Sequence, residues 1–226
     1  MSNSPVVRTG AGAFTLPGRD CLLCPRLADF RTINRTKFPT WHNAPVPSFG
    51  ALTAPLLIVG LGPGLRGANC TGRPFTGDWA GDLLYGTLLA LGLARGTYDE
   101  RPDDGLELVD CRITNAVRCV PPANKPTPAE INACRPFLTN EIAAMPNLKA
   151  ILALGSIAHN AVLSAKGLTK SRYKFAHGAT HRLPDGLAMV DTYHSSRLNT
   201  NTGRLTEPMF LAVMATAKAA AGIAHA

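Results

Sequence analysis

Four short segments that read as strands, the first of them an apolar run, constrain this chain more than anything else in it. They lie at residues 54–60, 108–115, 149–154 and 187–193, and each gives way to a polar or glycine-rich stretch. Runs of that length suit strands buried on both faces, as in a parallel sheet, better than helices. The sequence between them carries apolar residues at helical spacing. One such stretch covers residues 82–93, with Asp78 and Gly81 upstream as start signals. A second opens at the capping box Thr127-Pro128-Ala129-Glu130 and runs to about Met145. A third is capped by Ser156 and passes through Val162 to Lys166, and Thr206 opens a final alanine-rich helix. Strands alternating with helices in a 226-residue chain predict an α/β single-domain, three-layer doubly wound fold with a central, mainly parallel four-stranded sheet. Residues 1–18 read as a flexible N-terminal extension of a domain covering residues 19–226.

Doubly wound sheets bind ligands beyond the carboxyl ends of their strands, so residues 60–78, 115–122, 155–156 and 194–199 are expected to converge there. The first begins with the turn Gly60-Leu61-Gly62-Pro63-Gly64. Such a turn can cradle an anion, but it matches neither the dinucleotide fingerprint nor the P-loop, and a tight strand-to-loop turn needs the same glycines. Asp78 and Asp82 stand at a helix start, where the backbone dipole alone favours carboxylates. His194 reads as a core histidine or as a donor to a developing oxyanion; His177 and His181 read as a metal pair or as members of a basic loop. Asn115, at the same edge, carries an amide of the kind that reads a base bidentately.

Lysine and arginine number 23 against 15 acids, a net charge of +8. That balance favours polyanions, with nucleic acid foremost, although charge alone also serves solubility. Lys166, Lys170, Arg172, Lys174 and Arg182 crowd one segment, interleaved with Tyr173 and Phe175. The first residues do not resemble a secretion signal, and no apolar stretch is long enough to span a bilayer, so the expected compartment is the cytoplasm, where thiols stay reduced. Six cysteines are present. Cys21 and Cys24 form a CxxC pair; Cys119 follows an expected strand, and Cys134 lies on the helix after it. Four thiolates would suit zinc or an iron–sulfur cluster, and four buried thiols would suit a core. Core packing is the reading for Cys70 and Cys111.

Three segments taken together resemble the iron–sulfur uracil-DNA glycosylases of bacteria and archaea, specifically the family 5 type. They are GLGPGLRGANCTGRPFTGD from residue 60, ITNAVRCVPPANKPTPAEINAC from residue 113 and YHSSRLNTNTGRLT from residue 193. The resemblance implies a structural 4Fe-4S cluster on Cys21, Cys24, Cys119 and Cys134. It also implies a monofunctional DNA repair enzyme, acting as a monomer, that hydrolyses the N-glycosidic bond of a deaminated base and leaves an abasic site. For a flipped base, Phe75 can supply the stacking face and Asn115 the pairing amide. His194 can steady charge on the leaving base, and Asp78 can counter the cationic sugar and orient water. Leu198 suits an apolar wedge in the base stack, with Arg197, Asn199, Arg204 and Lys174 around it as DNA contacts.

Two departures from the related patterns are visible. Family 4 enzymes carry a glutamate after the first glycine of the turn, where this chain has Leu61, so the carboxylate role passes to Asp78. The usual His-Pro-Ser-Pro-Leu-Asn reads His194-Ser195-Ser196-Arg197-Leu198-Asn199 here, and loss of two prolines is expected to loosen that loop. Gly62 offers little bulk beside a base, which predicts a roomy pocket able to admit hypoxanthine or xanthine besides uracil. The competing reading is a non-catalytic, metal-stabilised nucleic-acid-binding module, which needs neither Asp78 nor His194.

Overall fold

The computed structural model of the protein describes residues 6–9 and 12–224. Its elements in chain order are β1 (Val6–Thr9), β2 (Gly12–Thr15), α1 (Pro25–Lys37), β3 (Leu56–Gly60), α2 (Ala68–Thr71) and α3 (Trp79–Ala90). There follow β4 (Ala94–Arg95), β5 (Glu107–Leu108), β6 (Cys111–Asn115), α4 (Pro128–Ala143), β7 (Ala150–Leu154) and α5 (Ser156–Ala165). The chain continues through β8 (Thr180–Arg182), β9 (Ala188–Thr192), α6 (Arg197–Asn201) and α7 (Glu207–Ala220).

The central sheet runs β6-β3-β7-β9-β8. The four expected strands are its parallel members, and each is buried along its whole length. A fifth strand, β8, pairs antiparallel with β9 and corrects the expected count of four. Its sequence, Thr-His-Arg, is polar and half-exposed, so it carries no apolar run by which to recognise it. At the opposite edge, Phe49 makes a single antiparallel bridge to Ile113.

Pleating divides the core as a three-layer fold requires. Leu56, Ile58, Leu152 and Val190 point to one face and pack with Leu84 and Leu88 of α3 and Phe210 and Met214 of α7. Leu57, Val59, Ile151 and Met189 point to the other and pack with Leu138 and Ile142 of α4 and Ala158 and Val162 of α5. Within residues 1–18, β1 and β2 form an antiparallel pair and Phe14 is buried; residues 1–5, 10 and 11 lie outside the described residues.

Helix starts follow local chemistry. Both halves of the α4 capping box form: Thr127 Oγ1 accepts from Glu130 N (3.3 Å), and Glu130 Oε2 accepts from Thr127 N (2.7 Å). Helix α3 starts at Trp79, earlier than the apolar periodicity indicates, because Asp78 caps it by accepting from Gly81 N at 3.2 Å. Ser156 does not cap α5. Gly155 holds that position at φ +89°, a conformation that suits glycine, and Ser156 is the first helical residue.

Candidate active site

All four segments leaving the parallel strands, joined by the start of α3, enclose one cavity of about 890 Å³. The loop after β3 supplies residues 61–67, Phe75 and Asp78; the turn before α4 supplies Pro121 and residues 123–125; the start of α5 supplies residues 155–157. Tyr193, His194, residues 196–199 and Arg204 close the remaining side. Asp78 and His194, from different strand ends, thus face one space with Gly62 and Phe75 on its wall. That volume takes a nucleotide, not only a free base.

Two glycines after β3, Gly64 and Gly67, make room for Asp78. A Cβ on Gly67 would lie 2.3 Å from Asp78 Oδ2, and one on Gly64 would lie 2.7 Å from it. Burial raises the Asp78 pKa, opposed by the backbone amides of Gly81 and Ala80 at the helix start. His194 stands 6.0 Å from Phe75, ring centre to ring centre. Burial lowers its pKa to about 4, so its imidazole is neutral at neutral pH and can donate one N–H. Gly155 again matters here: a Cβ on it would sit 3.4 Å from that of His194.

Asn115 is not on the cavity wall. It is 3 % exposed, and its Oδ1 has no hydrogen-bond partner. A Cβ on Gly60 would lie 2.5 Å from both Asn115 Oδ1 and the tip of the Phe75 ring, so amide and ring are side by side against a bare backbone. Phe75 holds φ +54°, costly for a residue with a side chain, and its carbonyl accepts from Tyr98 Oη at 3.3 Å.

At the cavity mouth, Leu198 is 73 % exposed. Arg197 and Arg204 reach the wall, each stacked on an aromatic: Arg197 lies 5.0 Å from the Trp79 ring centre and Arg204 4.5 Å from that of Tyr193. Asn199 also lines the cavity but uses its amide to hold the loop, donating to His194 O at 2.8 Å. Lys174 is exposed and off the wall, whereas its neighbour Phe175 is on it. His177 and His181 do not pair with each other. His181 Nε2 meets buried Asp191 at 3.1 Å, and His159 Nδ1 meets the same carboxylate at 2.8 Å. His177 stacks on Tyr193.

A family model for the uracil DNA glycosylase superfamily matches residues 47–218, a span containing every cavity residue named above. The chain belongs to the uracil-DNA glycosylase superfamily. It is 46 % identical over 209 residues to the type-5 uracil-DNA glycosylase of Thermus thermophilus, covering 90 % of this chain and 94 % of that one. The type-5 enzyme of Mycobacterium leprae is 42 % identical (90 % and 92 % covered) and that of Pyrobaculum aerophilum 39 % (90 % of each). Among the described residues of this superfamily member, no helix is long and apolar enough to cross a membrane.

Cys21 and Cys24, which precede the matched span, meet Cys119 and Cys134, which lie within it, around one small second cavity. Burial, joined by the neighbouring sulfurs, raises the Cys24 thiol to about 11 and the Cys119 thiol to about 12, the latter against the opposing charge of Arg31. Thiols gathered in this way serve as metal ligands once a cation displaces their protons. The surroundings fit a group with negative character: Arg118 N donates to Cys134 Sγ at 3.3 Å, Arg31 Nη1 to Cys119 Sγ at 3.7 Å, and buried Arg31 Nε has no partner. Arg26, two residues after Cys24, pairs with Glu130 of α4 at 2.7 Å and brings the CxxC turn to the helix bearing Cys134. Of the remaining cysteines, Cys111 is buried and donates to Leu93 O at 3.2 Å, while Cys70 is only half-buried, contrary to the core reading.

The sequence reading missed Trp79, Ile157, Arg66 and Lys125, all on the cavity wall. Ile157 looked like an ordinary member of a helical period, and Trp79 fell before the period that begins at residue 82. Their signal was adjacency: Trp79 follows Asp78, and Ile157 follows the Gly155-Ser156 turn.

Proposed function

We propose that the protein removes uracil from DNA by flipping the nucleotide into the 890 Å³ cavity and hydrolysing its N-glycosidic bond. One observation carries this reading: a carboxylate, Asp78, and a neutral imidazole, His194, face a single cavity with an exposed leucine, Leu198, at its mouth. The C1′–N1 bond breaks with its electron pair leaving on the base. His194 donates N–H to the base oxygen where that charge collects. Asp78 faces the cationic sugar and accepts a proton from the water that attacks C1′, passing it to solvent. The departed uracil anion takes a proton from solvent, so uracil and an abasic site result.

Partnerless Asn115 Oδ1 is suited to accept N3–H of uracil after the Phe75 ring shifts off it to stack on the base. Gly62 leaves the 5-position side of the pocket open, which supports acceptance of hypoxanthine and xanthine as well. Arg66, Lys125, Arg197 and Arg204 at the rim would hold phosphates, so affinity falls with salt. Cys21, Cys24, Cys119 and Cys134 would hold a 4Fe-4S cluster, zinc being the less favoured occupant. When bound, such a cluster cross-links the N-terminal turn to β6 and α4 and takes no part in base removal.

Incubation with uracil-containing duplex, followed by alkali, should cut the strand at uracil. Intact strands at high enzyme concentration would refute the activity. Duplexes carrying single hypoxanthine, xanthine or thymine measure its breadth, and exclusive action on uracil would contradict the open pocket.

A further inference from the structure

The loop His194–Asn199 lacks the prolines of the pattern it resembles, yet the structure ties it down. Ser195 is fully buried and donates to Ala80 O at 3.1 Å. Trp79 Nε1 donates to Thr200 Oγ1 at 2.8 Å, and the Arg197 guanidinium lies over the face of the same indole. Both α3 residues involved directly follow Asp78. Trp79 itself is 46 % exposed, so core burial does not account for a side chain of this size. Its ring and its N–H instead engage two residues of α6, one on either side of Leu198 in sequence.

We infer that Trp79 is a positioning residue. It locks α6, and with it the Leu198 wedge, to the start of α3, so that the wedge enters DNA as one rigid body with the cavity wall. Arg197 stands where the resembled pattern has its second proline, so stacking on Trp79 does here what ring closure does there. The inference rests on the wedge role given to Leu198 above.

The test uses the full chain with its metal content unchanged and compares Trp79→Ala, Trp79→Phe, Thr200→Val and Leu198→Ala. Two single-turnover rates are read for each: uracil release from a fully paired duplex, and from the same strand left unpaired around the uracil. Fluorescence of a 2-aminopurine beside the uracil reports unstacking directly. Trp79→Ala should slow release from the paired duplex about tenfold and delay the 2-aminopurine rise, with the unpaired substrate changing less than about twofold. Trp79→Phe keeps a ring for Arg197 and should fall between, matched by Thr200→Val. Wild-type duplex rates in Trp79→Ala, or equal losses on both substrates in a variant that melts normally, would overturn the inference. If Leu198→Ala also unstacks and cleaves duplex normally, the wedge reading fails; if Leu198→Ala is slow and Trp79→Ala is not, only the positioning role fails.

Discussion

Gly67→Ala tests whether the glycines after β3 exist to seat the Asp78 carboxylate that we propose to be catalytic. The new methyl would start 2.3 Å from Asp78 Oδ2 and 2.8 Å from its Cγ. Restoring ordinary contact requires the carboxylate to retreat by about 1 Å. The backbone around residue 67 cannot yield instead without breaking bonds, because Gly67 O accepts from Cys70 N (2.8 Å) and Thr71 N (3.0 Å). Displacement of a reacting group by about 1 Å costs roughly 100-fold, or about 2.7 kcal/mol of transition-state stabilisation. Single-turnover uracil release from a duplex should therefore fall by about that factor, while DNA affinity, held by the rim arginines, stays near wild type. Gly86→Ala is the matched control: nothing lies within 4 Å of its added Cβ, and it sits on the exposed side of α3. It should keep full turnover and gain about 0.5–1 kcal/mol of stability. Turnover within threefold of wild type in folded Gly67→Ala would show that Asp78 is not held where the reaction needs it.

Asp78→Asn should lose at least about 100-fold in turnover yet melt at or above the wild-type temperature. The amide can still cap α3, and the carboxyl binds its proton more tightly folded than unfolded; its stabilising contribution is present at acid pH and lost as the pH rises through its folded pKa. For the same reason, the acid limb of a kcat–pH profile should fall above the ordinary carboxylate range; a limb at or below 3.8 would contradict an ionised, buried Asp78. Cys24→Ser should lose iron, broad visible absorption and several degrees of Tm, and a colourless wild-type protein with one zinc would reject the cluster. Glu141 is wholly buried, bonding Arg112 at 2.6 Å and Thr114 at 2.8 Å and also pairing with Arg118. Glu141→Gln leaves buried guanidinium charge undercompensated and should lower Tm by roughly 10 °C with the catalytic pH profile unmoved.

What was legible in the sequence was local. The strands at residues 56–60 and 150–154 were legible because each is buried on both faces and reads as an uninterrupted apolar run; those at 111–115 and 188–192 are equally buried but carry polar side chains within them. Thr127 and Glu130 were readable because both ends of a capping box lie within one turn. Asp78 and His194 were readable as a pair only through topology, which places strand ends together. The remainder depends on partners far apart in the chain. Gly67 is explained by Asp78, Trp79 by Thr200 and Asn115 by Phe75 and Gly60, and none of these pairs leaves a period or spacing. Strand β8 was invisible because antiparallel pairing at an edge asks nothing of its side chains, and the hydrogen bond from Ser195 to Ala80 O was invisible because its partners lie far apart in the chain.

The two ends of the sheet bear on how the protein behaves when concentrated. An open strand edge is a template for another chain, and parallel sheets left bare at the margin tend to recruit one. Here one margin carries the three polar residues of β8, and the other is interrupted by the Phe49–Ile113 bridge. Neither offers a run of free backbone long enough to nucleate intermolecular strands. Precipitation on storage or heating should therefore await opening of the core, so colloidal shelf life and melting temperature should move together across variants.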